Sequence, residues 1–327
     1  MSLQFKFDPN QLYQIQAIQA VVELFEGQGF VTAHPRFQDG TLNLAVIANQ
    51  LDLDDGQLLA NLLAVQQRNG VRPEGELKRI EKSIQTAQGE APVAFPNFSV
   101  EMETGTGKTY VYLRTAVELF KRYGMRKFIV VVPSLAVREG VLKTLAITEK
   151  HFRQLYGNPV YHYYRYDSEN LSQVRQFAQS HSVELMVMTI DSFNKASNVI
   201  RQEPDRLQGE KPLHLIQAAR PILILDEPQN MESEKSVEAL ADLNPLLALR
   251  YSATHRAPSA RASAGAGNPT KSAFPGLRTA CPDLDINRRV RTRHNASWAF
   301  LAMLARRRKL STKWSLRSPC RGLSPSR

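Results

Sequence analysis

The sequence predicts an α/β fold, a parallel sheet with helices on both faces built around a phosphate-binding loop. Three observations predict it. A short alternating stretch, Phe98 to Met102, runs into a glycine pair and then a helical pattern. Two continuous apolar runs, Phe128 to Val132 and Leu185 to Met188, have the length of strands buried on both faces. A third run, Pro221 to Leu225, ends in the carboxylate pair Asp226 and Glu227.

From the start, Leu12, Ile15, Ile18, Val22 and Phe25 mark one face of a helix that ends near Gly27. The Tyr13-Gln14 pair heads this helix. The Gln14 amide offers a donor and an acceptor for an adenine edge, and Tyr13 or Phe7 can stack on such a ring. Residues 28–97 read as a helical insertion. It contains a helix capped by aspartate from about Leu51 to Leu63, and a second, charged on one face, from Lys78 to Gln88.

The phosphate loop is Thr104, Gly105, Thr106, Gly107, Lys108 and Thr109. Glycines let backbone N–H groups close on phosphate oxygens at the positive end of a helix. Lys108 is placed for the β- and γ-phosphates of ATP, and the Thr109 hydroxyl for Mg²⁺. Met102 stands where the general pattern has its first glycine. The following helix carries Leu113, Ala116, Val117 and Phe120 on one side and stops at Lys121, Arg122 and Gly124.

After the strand Lys127 to Val132, Ser134 and Arg138 lie in a loop at the ligand end of the sheet. They are either a helix cap and a surface arginine or contacts to a nucleic-acid backbone. Tyr161 to Tyr166 reads as a plain strand in a β-rich insertion. Thr189 and Asn194 follow the next buried strand as further backbone-contact candidates. Asp226 sits at a strand's carboxyl end, where it can hold Mg²⁺ through water beside Thr109. Glu227 is placed to orient the water that attacks the γ-phosphate. A last strand from Leu246 ends in Ser252, Ala253 and Thr254, which can relay between nucleotide and nucleic acid.

Composition changes abruptly at the end of this pattern. The chain has 327 residues and a formal charge of +11, but residues 256–327 hold 16 Lys+Arg against 2 Asp+Glu. The preceding residues hold 26 against 29. Both cysteines and both tryptophans also lie after His255, and the last glutamate is Glu238. A cysteine-free body fits a reducing compartment. With no signal-peptide pattern at its start and no run of about 18 apolar residues, the chain is expected in the cytoplasm, away from membranes.

Thr-Gly-Thr-Gly-Lys-Thr, Asp-Glu-Pro-Gln and Ser-Ala-Thr, in this order, resemble the first RecA-like motor domain of superfamily 2 helicases and translocases, of DEAD/DEAH-box type. The Asp-Glu-Pro-Gln form and the run from Phe98 to Thr115 narrow the resemblance to the Res subunit of Type III restriction-modification enzymes, over about residues 5–256. The resemblance implies ATP and Mg²⁺, double-stranded DNA as the track, and a Mod methyltransferase partner. It gives Gln14 the adenine, Gly105 to Thr109 the phosphates, Asp226 and Glu227 the metal and water, and Ser252 to Thr254 the coupling to DNA movement. The second motor domain and the nuclease site that the family pattern calls for have no counterpart after His255. Residues 257–327 read as a low-complexity, disordered basic tail. They are expected to be either an out-of-frame product or a basic nucleic-acid arm. The competing functions are another superfamily 2 DNA helicase and an inactive DNA-binding fragment.

Overall fold

The computed structural model describes residues 7–32, 45–158, 161–202, 211–253 and 283–284, all within one compact unit, Met1–Ile286. Its centre is the set of apolar runs. They form β3 (Lys127–Val132), β5 (Val183–Thr189), β6 (Ile222–Asp226) and β7 (Leu247–Ser252), every residue of which is buried. Edge positions go to β1 (Arg79–Thr86) and β4 (Tyr161–Arg165), while β2 (Gly89–Glu101) serves both halves of the sheet. The order is β1-β2-β7-β6-β3-β5-β4, with β8 (Asp283–Leu284) also paired to β2.

From β2 to β4 every pairing is parallel. Registers such as Phe98↔Leu249, Leu223↔Ala248, Ile129↔Leu223 and Val130↔Val187 align the strand ends on one rim. The chain alternates strand and helix, so the crossovers must lie on the faces. Successive strand residues supply two cores. Val130, Val132, Val187, Ile224 and Leu249 point to one, shared with α1 (Leu12–Val22), α2 (Asp55–Asn69), α3 (Lys108–Tyr123) and α4 (Leu135–Tyr156). Ile129, Val131, Met186, Met188 and Leu223 point to the other. This one is covered by α5 (Ser172–Gln179), α6 (Pro212–Ala219) and α7 (Glu234–Asp242). This is the predicted RecA-like α/β architecture.

The segment 28–97 is less helical than its sequence suggests. Its described part holds α2, closed by a reciprocal capping box between Asp54 and Gln57 and by Gly70 in the left-handed region. The second expected helix, Lys78 to Gln88, is instead β1, hairpinned to the first half of β2 in the register Arg79↔Pro96 to Thr86↔Gly89. Ile80 and Ile84 are its buried residues, a spacing of four that suits a helix and a strand alike. Lys82, between them on the same face, reaches Glu234 and Glu238 of α7 at 3.9 and 3.6 Å, which hides the period of two. The Tyr161 stretch is a strand as expected, but as β4 it belongs to the main sheet, parallel to β5.

A strap locks the rim opposite the phosphate loop. The Asn49 amide donates to the carbonyls of Lys127 (2.8 Å) and Arg220 (3.2 Å), and its oxygen accepts the N–H groups of Arg126 (2.8 Å) and Lys127 (3.1 Å). The start of β3 and the end of α6 are thereby pinned to one side chain.

Candidate functional site

The phosphate loop leaves β2 at Glu101 and enters α3 at Lys108. Gly105 and Gly107 take φ of +82° and +86°, the left-handed region that a Cβ disfavours. A Cβ at Gly107 would also lie 2.8 Å from Gln14 Nε2. Thr106 closes the turn, its hydroxyl donating to the Glu103 carbonyl at 2.6 Å. The first four N–H groups of α3 have no partner within the helix, which is the physical basis of an anion site here. Met102, the departure from the glycine pattern, is buried, and its N–H donates to the Ser252 carbonyl at 2.9 Å.

Gln14 meets the loop. From the first turn of α1 its amide donates to the Thr106 carbonyl at 2.9 Å, across 92 residues of sequence, and the side chain is buried. Arg114 of α3 donates to the Pro9 carbonyl at 2.7 Å and so ties the segment before α1 to the helix behind the loop. Phe7 stacks on Tyr110, centroids 6.1 Å apart and planes 10° apart, with His151 at 5.4 Å. Tyr110 and His151 share a 2.9 Å hydrogen bond. Of the two candidate stacking residues, Phe7 is already part of this aromatic shelf. Tyr13 donates to Gln11 at 2.5 Å and accepts from Gln14 at 3.4 Å.

At the end of β6 the two carboxylates take different roles. Lys108 Nζ lies 3.1 Å from Glu227 Oε1, so the loop lysine and the strand-end acid neutralise each other. Glu227 has φ +56°, an uncommon conformation for a residue with a side chain, held by its N–H on the Tyr251 carbonyl at 3.2 Å. Its other oxygen accepts from Gln229 Nε2, and Gln229 Oε1 accepts from the Ser252 hydroxyl at 3.4 Å. Lysine, glutamate, glutamine and serine thus form one continuous chain. Asp226 is 5% exposed. Burial pushes its carboxyl up to about 6, partly opposed by the Tyr112 hydroxyl and Lys108, while Glu227 adds to the rise. Tyr112 OH donates to Asp226 Oδ2 at 3.2 Å, with the Thr109 side chain beside it. Burial first, and then Asp226, hold the Tyr112 phenol well above its usual range.

Thr109 and Asp226 offer oxygen donors of the kind Mg²⁺ takes. Among the described residues no group of three or more His, Cys, Asp or Glu could cage a metal alone. A cation at this place would draw its other ligands from nucleotide and water. The donor set therefore fits the expected ion.

Of the coupling residues, Ser252 is buried at the end of β7 and Ala253 follows it, whereas Thr254 lies outside the described residues, as does nearly all of 257–327. The remaining loop candidates divide. Ser134 caps α4, accepting the Val137 N–H at 3.4 Å. Thr189 shares a 2.8 Å bond with Ser192, and Asn194 donates to Asp191 at 3.2 Å. Arg138 opens onto a cavity of about 430 Å³ with Arg165, Tyr166, Ser168, Ser192 and Asn198, at the carboxyl ends of β4 and β5.

Sequence reasoning missed Tyr112 and Gln229. Gln229 was visible only as the fourth letter of Asp-Glu-Pro-Gln. Tyr112 carries a fainter signal, a hydroxyl in a helix otherwise buried on most sides, which must find a partner.

Among the described residues no helix is long and apolar enough to cross a membrane. Residues 9–257 match the family described as Type III restriction enzyme, res subunit. The chain is 26% identical over 274 residues to the EcoP15I Res subunit of Escherichia coli, covering 78% of this chain and 26% of that protein. It is 31% identical over 178 residues to the StyLTI Res subunit of Salmonella typhimurium, covering 48% and 18%. To the EcoPI Res subunit of Escherichia phage P1 it is 26% identical over 275 residues, covering 78% and 26%. The chain spans about a quarter of the length of the first of these curated relatives. With its phosphate loop, its acidic strand end and three quarters of its length inside that match, the chain belongs to the Type III restriction enzyme Res subunit family.

Proposed function

We propose that residues 1–256 form the ATP-binding motor domain of a Type III restriction endonuclease Res subunit, an ATP hydrolase that moves along double-stranded DNA beside a Mod methyltransferase subunit. The observation that carries this reading is the meeting of Lys108 with Glu227 and of Tyr112 with Asp226 at one rim of the sheet. Gln14, docked on the Thr106 carbonyl, takes the adenine edge while Phe7 and Tyr110 offer a stacking shelf. Loop N–H groups from Thr104 to Thr109 receive the phosphates, and Lys108 exchanges Glu227 for the β- and γ-phosphate oxygens. Glu227, released from Lys108, accepts a hydrogen bond from the attacking water and orients it. Mg²⁺, held by Thr109 and, through water, by Asp226, would neutralise charge on the phosphates. The Glu227–Gln229–Ser252 chain carries the change at the water to the end of β7.

DNA would run along the face that bears Arg138 and Arg165, a reading supported by the two guanidinium groups and several hydroxyls that line one cavity there. We further propose that residues 257–327 are out of frame. The family match ends at that residue, where charge, Cys, Trp and Glu usage all change. Sequencing the locus tests this, since a shift of one or two bases must open further motor motifs.

The deciding experiment is a melting curve of the full chain with ATP and Mg²⁺, beside Lys108→Ala. A nucleotide-dependent rise that the variant lacks is expected. Equal curves with and without ATP would overturn the reading. ATP turnover with and without duplex DNA, on the same samples, then measures how much of the motor cycle this chain performs.

A further inference from the structure

The group that joins the two expected Mg²⁺ holders is itself part of neither motif. Tyr112 is fully buried one turn into α3, and its hydroxyl donates to Asp226 Oδ2 at 3.2 Å, beside the Thr109 side chain. We propose that Tyr112 is a positioning residue for Mg²⁺, setting the direction of the Thr109 hydroxyl and the Asp226 carboxylate. The proposal rests on the nucleotide-site reading above.

Proton directions set the role of the phenol. A hydroxyl that ligates a cation turns a lone pair toward it and must send its proton elsewhere. The Tyr112 oxygen offers an acceptor for that proton. The tyrosine's own proton then goes to Asp226, because an ionised carboxylate only accepts. One oxygen of Asp226 is thereby held by the phenol, which fixes the direction of the whole carboxylate. Groups that hold a metal ligand from behind in this way commonly change metal affinity about 10–100-fold when removed. The ring packs against that of Tyr251, 5.4 Å away centroid to centroid.

A purely structural tyrosine would fill the same space, so the test separates packing from proton direction. The full 327-residue chain is titrated with Mg²⁺ in the presence of a fluorescent, non-hydrolysable ATP analogue, and the same analogue is bound in EDTA. For Tyr112→Phe, binding in EDTA is expected to stay as in the parent, while the Mg²⁺ concentration for half-maximal tight binding rises about tenfold. Tyr251→Phe, which alters the neighbouring ring, is expected to leave that midpoint in place. Tyr112→4-aminophenylalanine keeps a donor toward Asp226 in nearly the same volume. It is expected to give an intermediate midpoint, and it keeps the test available should the phenylalanine variant fold poorly. An unchanged midpoint in both position-112 variants, or an equal shift in Tyr251→Phe, overturns the proposal. Loss of Mg²⁺-dependent binding in the parent itself would instead count against the nucleotide-site reading.

Discussion

Single residues set the electrostatics of both rims of the sheet. Gly107 shows the tightest constraint at the phosphate loop. An alanine there meets both a φ of +86° and a Cβ 2.8 Å from the Gln14 amide. Gly107→Ala is expected to lower stability by about 1–2 kcal/mol through the left-handed backbone alone. It should also displace Gln14, seen as weakened binding of a fluorescent ATP analogue. At the opposite rim, Lys127 is completely buried, donates to the Ser180 carbonyl at 2.5 Å, and lies beside Glu184. Burial lowers its ammonium from 10.5 to about 7, only partly offset by Glu184, with Arg126 adding to the fall. Between these two values the unfolded chain binds the extra proton. Stability from this group therefore rises with pH from about 7 to 10.5, by at most about 1.4 kcal/mol per pH unit. Urea unfolding across that range should show the slope, and Lys127→Met should flatten it.

Elements were legible where their signal is local. The strand–loop–helix around Lys108 and the strand ending in Asp226 carry their chemistry within a dozen residues, and both stand where the sequence put them. β1 was not legible, because the lysine that interrupts its alternation answers to two glutamates about 150 residues away. Tyr112 escaped for the same reason, its partner being 114 residues off. The strap is a third such case. Nothing in the sequence around Asn49 announces that it closes the ends of β3 and α6 with four hydrogen bonds. Removing them strands buried N–H and C=O groups, so Asn49→Ala is expected to cost about 2–4 kcal/mol in urea unfolding. Nucleotide binding at the far rim should be unaffected at temperatures where the variant stays folded.

For the whole molecule, charge is distributed against the simplest expectation. The residues before 256 carry a slight acidic excess, 29 Asp+Glu to 26 Lys+Arg, so the proposed attraction of this part to DNA would have to come from where its cations sit. Arg138 and Arg165 face one cavity, each paired with an adjacent acid, Glu139 at 2.9 Å and Asp167 at 3.4 Å. Replacing either by alanine is expected to weaken duplex binding uniformly across sequences. The log–log salt slope should fall by about one, measured by fluorescence anisotropy from low to physiological salt. An unchanged slope in both variants would move the DNA to another face.

One strand end has a mechanical consequence. The last residues of β7 hold both halves of the site by backbone, the Tyr251 carbonyl taking the Glu227 N–H and the Ser252 carbonyl taking the Met102 N–H. The phosphate loop and the acidic pair hang from neighbouring peptides, like two gates on one post. A tug on the chain at Ala253 would reach the phosphate loop and the acidic pair together, and a change at either would be felt by whatever follows Ala253.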